Sequence, residues 1–468
     1  MIVIKSFFDT HPFYFSRYHN FINLFILIFF EIVFLVISCF NPLISLLTIL
    51  GIIVIVSCIF NTFLGLILII LGFAFQQSTK EINIQEIIFG IILLSTIIGW
   101  LFRTILIYGK KIINNTSELY LFLFLIIVVF SIIISLFQNV SLFIWFRKFI
   151  PFLIYFLYFP LVENLRSKKE LNIILLTLLI TISIIGLNSL TDYAASLSSA
   201  QKLWQIMASR EVYNEPYFYS GLVLLTGMMF FSKKLYFNVI FLIFIPFFVI
   251  LLAISFSRGY WLAAFISLII MFYFLPLKKK LLISIILFSI LLITIIFSKY
   301  YFGNIFDILV SQLDERLFTL GKLARDSSVI ERINESKELI KYLKINPFVG
   351  FGLGKEYSFL VYSWRTIPTD YVHNAFLSLW FKFGIFGLLV YLIFYISMII
   401  KSHHSFKCLT SNKYKGLYLG IFCVFIGMLP LSISSPQFTQ NNSILLIVIF
   451  SSIVTSSKGI FRNVELTY

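Results

Sequence analysis

Charge is scarce in this chain: only 12% of its 468 residues are Asp, Glu, Lys or Arg, while 60% are hydrophobic. That scarcity excludes an ordinary soluble core. The apolar runs repeatedly reach the roughly 20 residues that cross about 30 Å of hydrocarbon, and they show no polar helical face. Cysteine is almost missing too, with Cys39, Cys58, Cys408 and Cys423 all in or beside apolar runs, so no disulfide framework is indicated. No residues stand at metal-ligand spacing, and no metal or cofactor is expected. The first twenty residues lack a short apolar core with a small-residue cleavage site, which makes the first run an uncleaved anchor rather than a removed signal.

What is present is a series of fourteen apolar runs, at about 21–40, 43–60, 62–76, 87–107, 119–137, 149–162, 171–190, 217–231, 236–256, 260–276, 281–297, 385–400, 416–434 and 441–457. Only Asn61-Thr62 separates the second run from the third, and fusing them would move every later loop to the other side. Charge decides the parity. With the N-terminus inside, nineteen basic residues fall on the cytoplasmic side against five acidic ones, while the short external loops hold only Lys80, Arg147, Lys148, Lys202, Arg210 and Arg258. The positive-inside rule supports this arrangement. The net charge of +16 is then a signature of topology and not a nucleic-acid footprint. The reading is an all-α, polytopic integral membrane protein with about 12–14 transmembrane helices, both termini cytoplasmic, and a single membrane domain over 1–468. Two external segments are long enough to fold, 191–216 and 298–372.

Within 298–372, Ile330, Ile333, Leu339, Ile340 and Leu343 recur at helical spacing among charges. They predict an amphipathic helix lying on the bilayer or over a site, ended by Asn346-Pro347. The glycine series Gly350-Phe351-Gly352-Leu353-Gly354 reads as a flexible turn, since no strand precedes it to support a dinucleotide loop.

Few groups here can carry chemistry. His373 stands at the external interface just before a span, where a neutral imidazole can take a proton from a hydroxyl; a helix-capping role weighs equally from position alone. Arg258, in Ser257-Arg258-Gly259-Tyr260-Trp261, lies in a loop so tight that its guanidinium adds to the positive end of a helix dipole. Its bland alternative is an arginine snorkelling to lipid headgroups. Arg210 could form a second anion clamp or pair with Glu211, and Arg147-Lys148 would add external positive charge; together these four cations suit a pyrophosphate. Glu31 and Lys382 are ionisable groups within apolar sequence. A helix-contact role comes first for Glu31, and Lys382 is assigned to a short re-entrant or tilted segment broken at Gly384.

His373-Asn374, followed after nine residues by Gly384-Ile385-Phe386-Gly387, resembles the histidine motif of the O-antigen ligase and O-antigen polymerase superfamily of bacterial cell-envelope proteins. The Ser257-Arg258-Gly259 turn, Glu331-Arg332 and Asn346-Pro347-Phe348-Val349-Gly350-Phe351-Gly352 fall in the family's order, over about residues 205–400. The chain departs from the pattern where Asn334, Ser336 and Lys337 stand in place of an aromatic residue, and at Asn214-Glu215-Pro216. The resemblance implies a GT-C-like, metal-independent glycosyltransferase of the bacterial inner membrane, working at its periplasmic face on a glycan carried by undecaprenyl pyrophosphate. It implies that Arg258 and Arg210 hold the pyrophosphate and that His373 activates or orients the acceptor hydroxyl, with Asn374, Tyr260 and Arg332 in support. The acceptor would be lipid A-core for a ligase or a lipid-linked repeat unit for a polymerase, with other polysaccharide-assembly proteins as possible partners. A flippase or exporter of lipid-linked glycan is the alternative, but paired repeats and interrupted helices, the usual marks of transporters, are not evident in the sequence. A channel or scaffold ranks last, because it would not need the spacing from Arg258 to His373.

Overall fold

The computed structural model describes residues 42–76, 83–199, 214–232, 235–275, single positions between 277 and 300, 327–362 and 365–461. The run at 21–40, with Glu31, and most of that at 281–297 lie outside them. Each of the other twelve runs has its helix. In chain order these are α1 (Pro42–Phe60), α2 (Thr62–Gly72), α3 (Ile84–Leu101), α4 (Thr116–Phe137), α5 (Leu142–Phe156), α6 (Tyr158–Asn164), α7 (Lys168–Ser199), α8 (Glu215–Phe231), α9 (Leu235–Ile254) and α10 (Arg258–Tyr273). The polar α11 (Ser327–Ile345) and a hairpin of β1 (Tyr357–Tyr362) and β2 (Arg365–Thr369) precede α12 (Ala375–Cys408), α13 (Asn412–Leu431), α14 (Asn441–Thr455) and the short α15 (Ser457–Ile460). Among the described residues six helical stretches are long and apolar enough to cross a bilayer, and the chain is a multi-pass, predominantly helical membrane protein.

The questionable pair at 43–76 is two helices. Asn61 ends one and caps the next, its side chain accepting the Leu64 N–H at 3.2 Å, which supplies one of the donors a helix start leaves open. One boundary differs from expectation: α5 begins at Leu142, capped by Ser141. Arg147 and Lys148 therefore sit inside a helix rather than in the loop ahead of it.

α14 explains why some runs carry no polar face. Every residue from Ser443 to Val454 is buried, so the helix is wrapped by protein on all sides. Around it, buried tyrosines supply polar contacts between helices: the Tyr155 and Tyr391 hydroxyls lie 2.7 Å apart, Tyr155 donates to the Phe438 carbonyl at 3.0 Å, and Tyr395 donates to the Phe425 carbonyl at 2.8 Å. α8 and α13 cross where Gly227 faces Gly416 and Gly420; a Cβ on Gly227 would stand 2.7 Å from the Gly416 carbonyl oxygen. Small residues at such a crossing let backbones approach within dispersion range where no hydrophobic effect draws helices together.

The bundle has two chemically different ends. The starts of α8, α10, α12 and α14 and the end of α13 meet at one. Lys110, Lys111, Arg166 and Lys458 gather in a recess at the other.

α11, the hairpin and the first turns of α12 share a small core of Leu339, Leu343, Phe351, Tyr357, Phe359, Val372 and Phe381. The helix forms as expected, but only part of its apolar set faces inward. Leu339 and Leu343 are buried together with Glu335, four residues earlier, whereas Ile330, Ile333 and Ile340 are exposed. Residues four apart share a helical face, and the inward stripe runs through the carboxylate.

α12 is broken at Gly384, as the sequence indicates, by a backbone of φ +69° and ψ −179° that only glycine adopts readily. The loop that precedes α12 supports this break. The Phe351 and Gly352 N–H groups donate to the Phe381 and Lys382 carbonyls at 2.8 and 3.0 Å, and the Ile385 N–H donates to the Pro347 carbonyl at 3.0 Å. Trp380 Nε1 also donates to Pro347, at 2.8 Å. The loop thus satisfies the carbonyls that the break releases. The glycine series is consequently a turn pinned to α12 and buried through Gly350–Gly354, not a loose one.

Candidate active site

The ends of these elements enclose a cavity of about 320 Å³. Arg258 and Tyr260 enter it from the start of α10, Glu215 from the start of α8, Ser328, Glu331 and Arg332 from α11, and Tyr371 and His373 from the segment leading into α12. Ser434, Ser435, Pro436 and Gln440 close it from the connection between α13 and α14. Residues 115 positions apart, Arg258 and His373, are brought together because their helices start at the same end of the bundle.

His373 is held from one side. Its Nδ1 lies 3.1 Å from both carboxylate oxygens of Glu335, and its backbone N–H donates to Glu335 Oε2 at 3.1 Å. A carboxylate only accepts, so the ring proton belongs on Nδ1 and the lone pair on Nε2. The ring remains 36% exposed and lines the cavity, while Glu335 is 1% exposed. Tyr371 packs edge-on against the imidazole, with centroids 4.9 Å apart. The Tyr357 hydroxyl lies 2.8 Å from Glu335 Oε1 and 2.7 Å from the Tyr371 carbonyl, a single proton serving two acceptors. Burial, and then the neighbouring Glu335 charge, push the Tyr357 phenol well above its ordinary range. It stays a donor and holds the carboxylate in place.

Arg258 follows a turn in which Phe256 takes φ +48°, a strained value for a residue with a side chain. Trp261 Nε1 caps the end of α9 through the Leu252 carbonyl at 2.7 Å, and Arg258 Nη2 reaches Ser328 Oγ at 3.5 Å. The guanidinium stands at the N-terminus of α10, where the helix dipole also favours an anion. Arg332 adds a second cation, and Glu215 and Glu331 bring carboxylates to the same wall. The cavity is therefore suited to a ligand with both anionic and hydroxyl groups, not to a bare anion.

The other candidates take different places. Asn374 caps α12, its Oδ1 accepting from the Phe376 and Leu377 N–H groups at 3.0 Å each, so its support for His373 is to set where the helix begins. Tyr260 is buried, and its hydroxyl accepts from Gln437 Nε2 at 2.8 Å, tying α10 to the α13–α14 connection. Lys148 is bound to Asp370 at 2.6 Å, and neither it nor Arg147 lines the cavity. The four-cation clamp is not assembled as expected: among the described residues Arg258 has Arg332, not Arg147-Lys148, beside it. Arg210 lies outside the described residues. Among those residues no group of three or more His, Cys, Asp or Glu could hold a metal ion.

Glu335 and the Ser434–Gln440 wall belong to this arrangement without being among the residues singled out from the sequence. A signal for each exists. Glu335 is the charged residue in line with Leu339 and Leu343, and Ser434-Ser435-Pro436-Gln437 is a polar cluster on the same side of the membrane as His373 by span parity.

Residues 221–392 match the family model described as O-antigen ligase. The match includes both Arg258 and His373 and agrees with the resemblance carried by the His373-Asn374 motif. No curated protein matches the chain.

Proposed function

We propose that this chain, whose residues 221–392 match the O-antigen ligase family model, transfers a glycan from undecaprenyl pyrophosphate to an acceptor hydroxyl at the external face of the bacterial inner membrane. The observation that carries the reading is the joint presence, in one cavity, of a Glu335-held imidazole and the Arg258 guanidinium. In the reaction, His373 Nε2 takes the proton of the acceptor hydroxyl as its oxygen bonds to the anomeric carbon of the donor. The bond from that carbon to the pyrophosphate oxygen breaks, and its electron pair leaves with undecaprenyl pyrophosphate. Arg258 and Arg332 meet the charge that grows on this leaving group, where a fixed cation lowers the barrier most. Glu335 accepts from Nδ1 and stabilises the imidazolium that forms. Arg210 is a further pyrophosphate ligand in this scheme, and no metal or other cofactor enters it.

The external placement rests on the excess of cations at the opposite end of the bundle, which the positive-inside rule assigns to the cytoplasm. The acceptor is the next lipid-linked repeat for a polymerase and lipid A-core for a ligase. Purified protein in proteoliposomes with lipid-linked repeats alone is expected to give glycan ladders in the first case. In the second it gives product only when lipid A-core is added. Translocation of the donor without any transfer product would replace this reading with transport. Arg258→Lys keeps the charge but loses the planar fork, and it is expected to lower kcat by about a hundredfold. An unchanged kcat with a raised KM would instead make Arg258 a ground-state binding residue only.

A further inference from the structure

At the end of the bundle opposite His373 lies a second recess, of about 580 Å³, that the transfer chemistry does not use. α12 connects the two: Lys401, near its far end, donates to Asn115 in the recess wall at 3.4 Å. From Ala375 to Lys401 a helix extends about 40 Å, the thickness of a bilayer with its headgroups.

The recess is built around unequal charge. Glu163 is fully engaged, receiving hydrogen bonds from Trp100 Nε1 at 2.8 Å, Thr104 Oγ1 at 2.9 Å and Lys110 Nζ at 3.0 Å, with Arg166 Nη2 at 3.3 Å. Glu118 is buried and receives the Asn114 N–H at 2.5 Å. Those two carboxylates face four lining cations, and Lys111 and Lys458 have no ion-pair partner among the described residues. The wall beside Trp100 continues into a single π-helical turn, Phe102–Ile107, on which Phe102, Ile105 and Leu106 are exposed. Such turns interrupt helices frequently at functional positions. The recess itself carries an apolar strip beside its cations, formed by Ile112, Phe159 and Val162.

We infer that this recess binds the phosphate of an anionic phospholipid, with Lys111 and Lys458 on the phosphate oxygens and the acyl chains against the half-buried Ile112 and Val162. A soluble phosphate shares the headgroup chemistry but has no use for the apolar strip. Basic pockets between helices at a membrane surface attract anionic headgroups by about 1 kcal/mol for each Lys or Arg, so removing two lysines corresponds to about thirtyfold weaker retention. The test uses the full-length protein in detergent, measuring retained phosphatidylglycerol, phosphatidylcholine and radiolabelled inorganic phosphate by native mass spectrometry and equilibrium binding. Lys111→Gln combined with Lys458→Gln is expected to weaken phosphatidylglycerol retention about thirtyfold. Lys169→Gln combined with Lys407→Gln, exposed cations outside the recess, serves as the equal-charge control and is expected to leave retention unchanged. An unaltered melting temperature without lipid verifies folding of both variants. Equal retention by wild type and the Lys111/Lys458 variant, equal loss in the control, or equal retention of phosphatidylcholine would each overturn the site. Phosphate binding without phosphatidylglycerol retention would overturn the lipid assignment.

Discussion

Glu335→Gln is expected to lower kcat by about 10²- to 10⁴-fold while leaving KM and the melting temperature near those of the native protein. The substitution keeps the shape and leaves a side-chain oxygen for the His373 backbone N–H that Glu335 Oε2 now receives. What it changes is the group facing Nδ1, 3.1 Å away. An amide can present N–H there, moving the ring proton to Nε2 and removing the lone pair that faces the acceptor. It also withdraws the negative charge that offsets the imidazolium. His373→Ala removes the base itself and is expected to abolish transfer in the same assay. Retained folding, shown by the melting temperature, separates this role from a structural one, and Glu335→Asp is expected to recover part of the rate. Transfer by Glu335→Gln within a few-fold of wild type would mean that Glu335 is a core carboxylate with no part in positioning the base.

Gly384→Ala is expected to destabilise the protein by about 3 kcal/mol or more, among the largest effects of a single methyl group. Two costs add at this position. The backbone at φ +69° and ψ −179° is one that residues with a Cβ rarely adopt, and the added carbon would run into the Phe348 carbonyl. The neighbour cannot give way easily, since Gly350 lies against the same break, where a Cβ would be 2.6 Å from the Gly384 nitrogen. If α12 instead straightened, Phe381 and Lys382 would resume bonds within the helix and release the loop that now donates to them. Phe381 would then leave the small core that carries Glu335 over His373. Lower yield, a lower melting temperature and loss of transfer should therefore appear together. A Gly384→Ala protein with native melting temperature would show that the break is not required.

The two predictions concern the same cap and explain a puzzle of the sequence. Of the five apolar residues from which the amphipathic helix is read, Leu339 and Leu343 face inward and Ile330, Ile333 and Ile340 outward, and the inward stripe contains a carboxylate. A buried charge is costly unless several donors meet it. Here the His373 backbone, its ring and Tyr357 do so, which makes the position of Glu335 well defined rather than merely tolerated.

The sequence by itself determined the membrane class, the separation of α1 from α2, the break at Gly384, and the placing of Arg258 and His373 at one end of the bundle. These depend on local facts: run length against bilayer thickness, a capping asparagine, a glycine in a helical run, and span parity that puts two residues on one side. Tertiary structure alone decided that Glu335 lies behind His373, that Lys148 is taken by Asp370, and that the Ser434–Gln440 connection completes the cavity. The reason is that partner choice among charged side chains depends on which helix ends converge. That convergence is set by packing around α14 between segments hundreds of residues apart in the chain, and no periodicity within one segment encodes it.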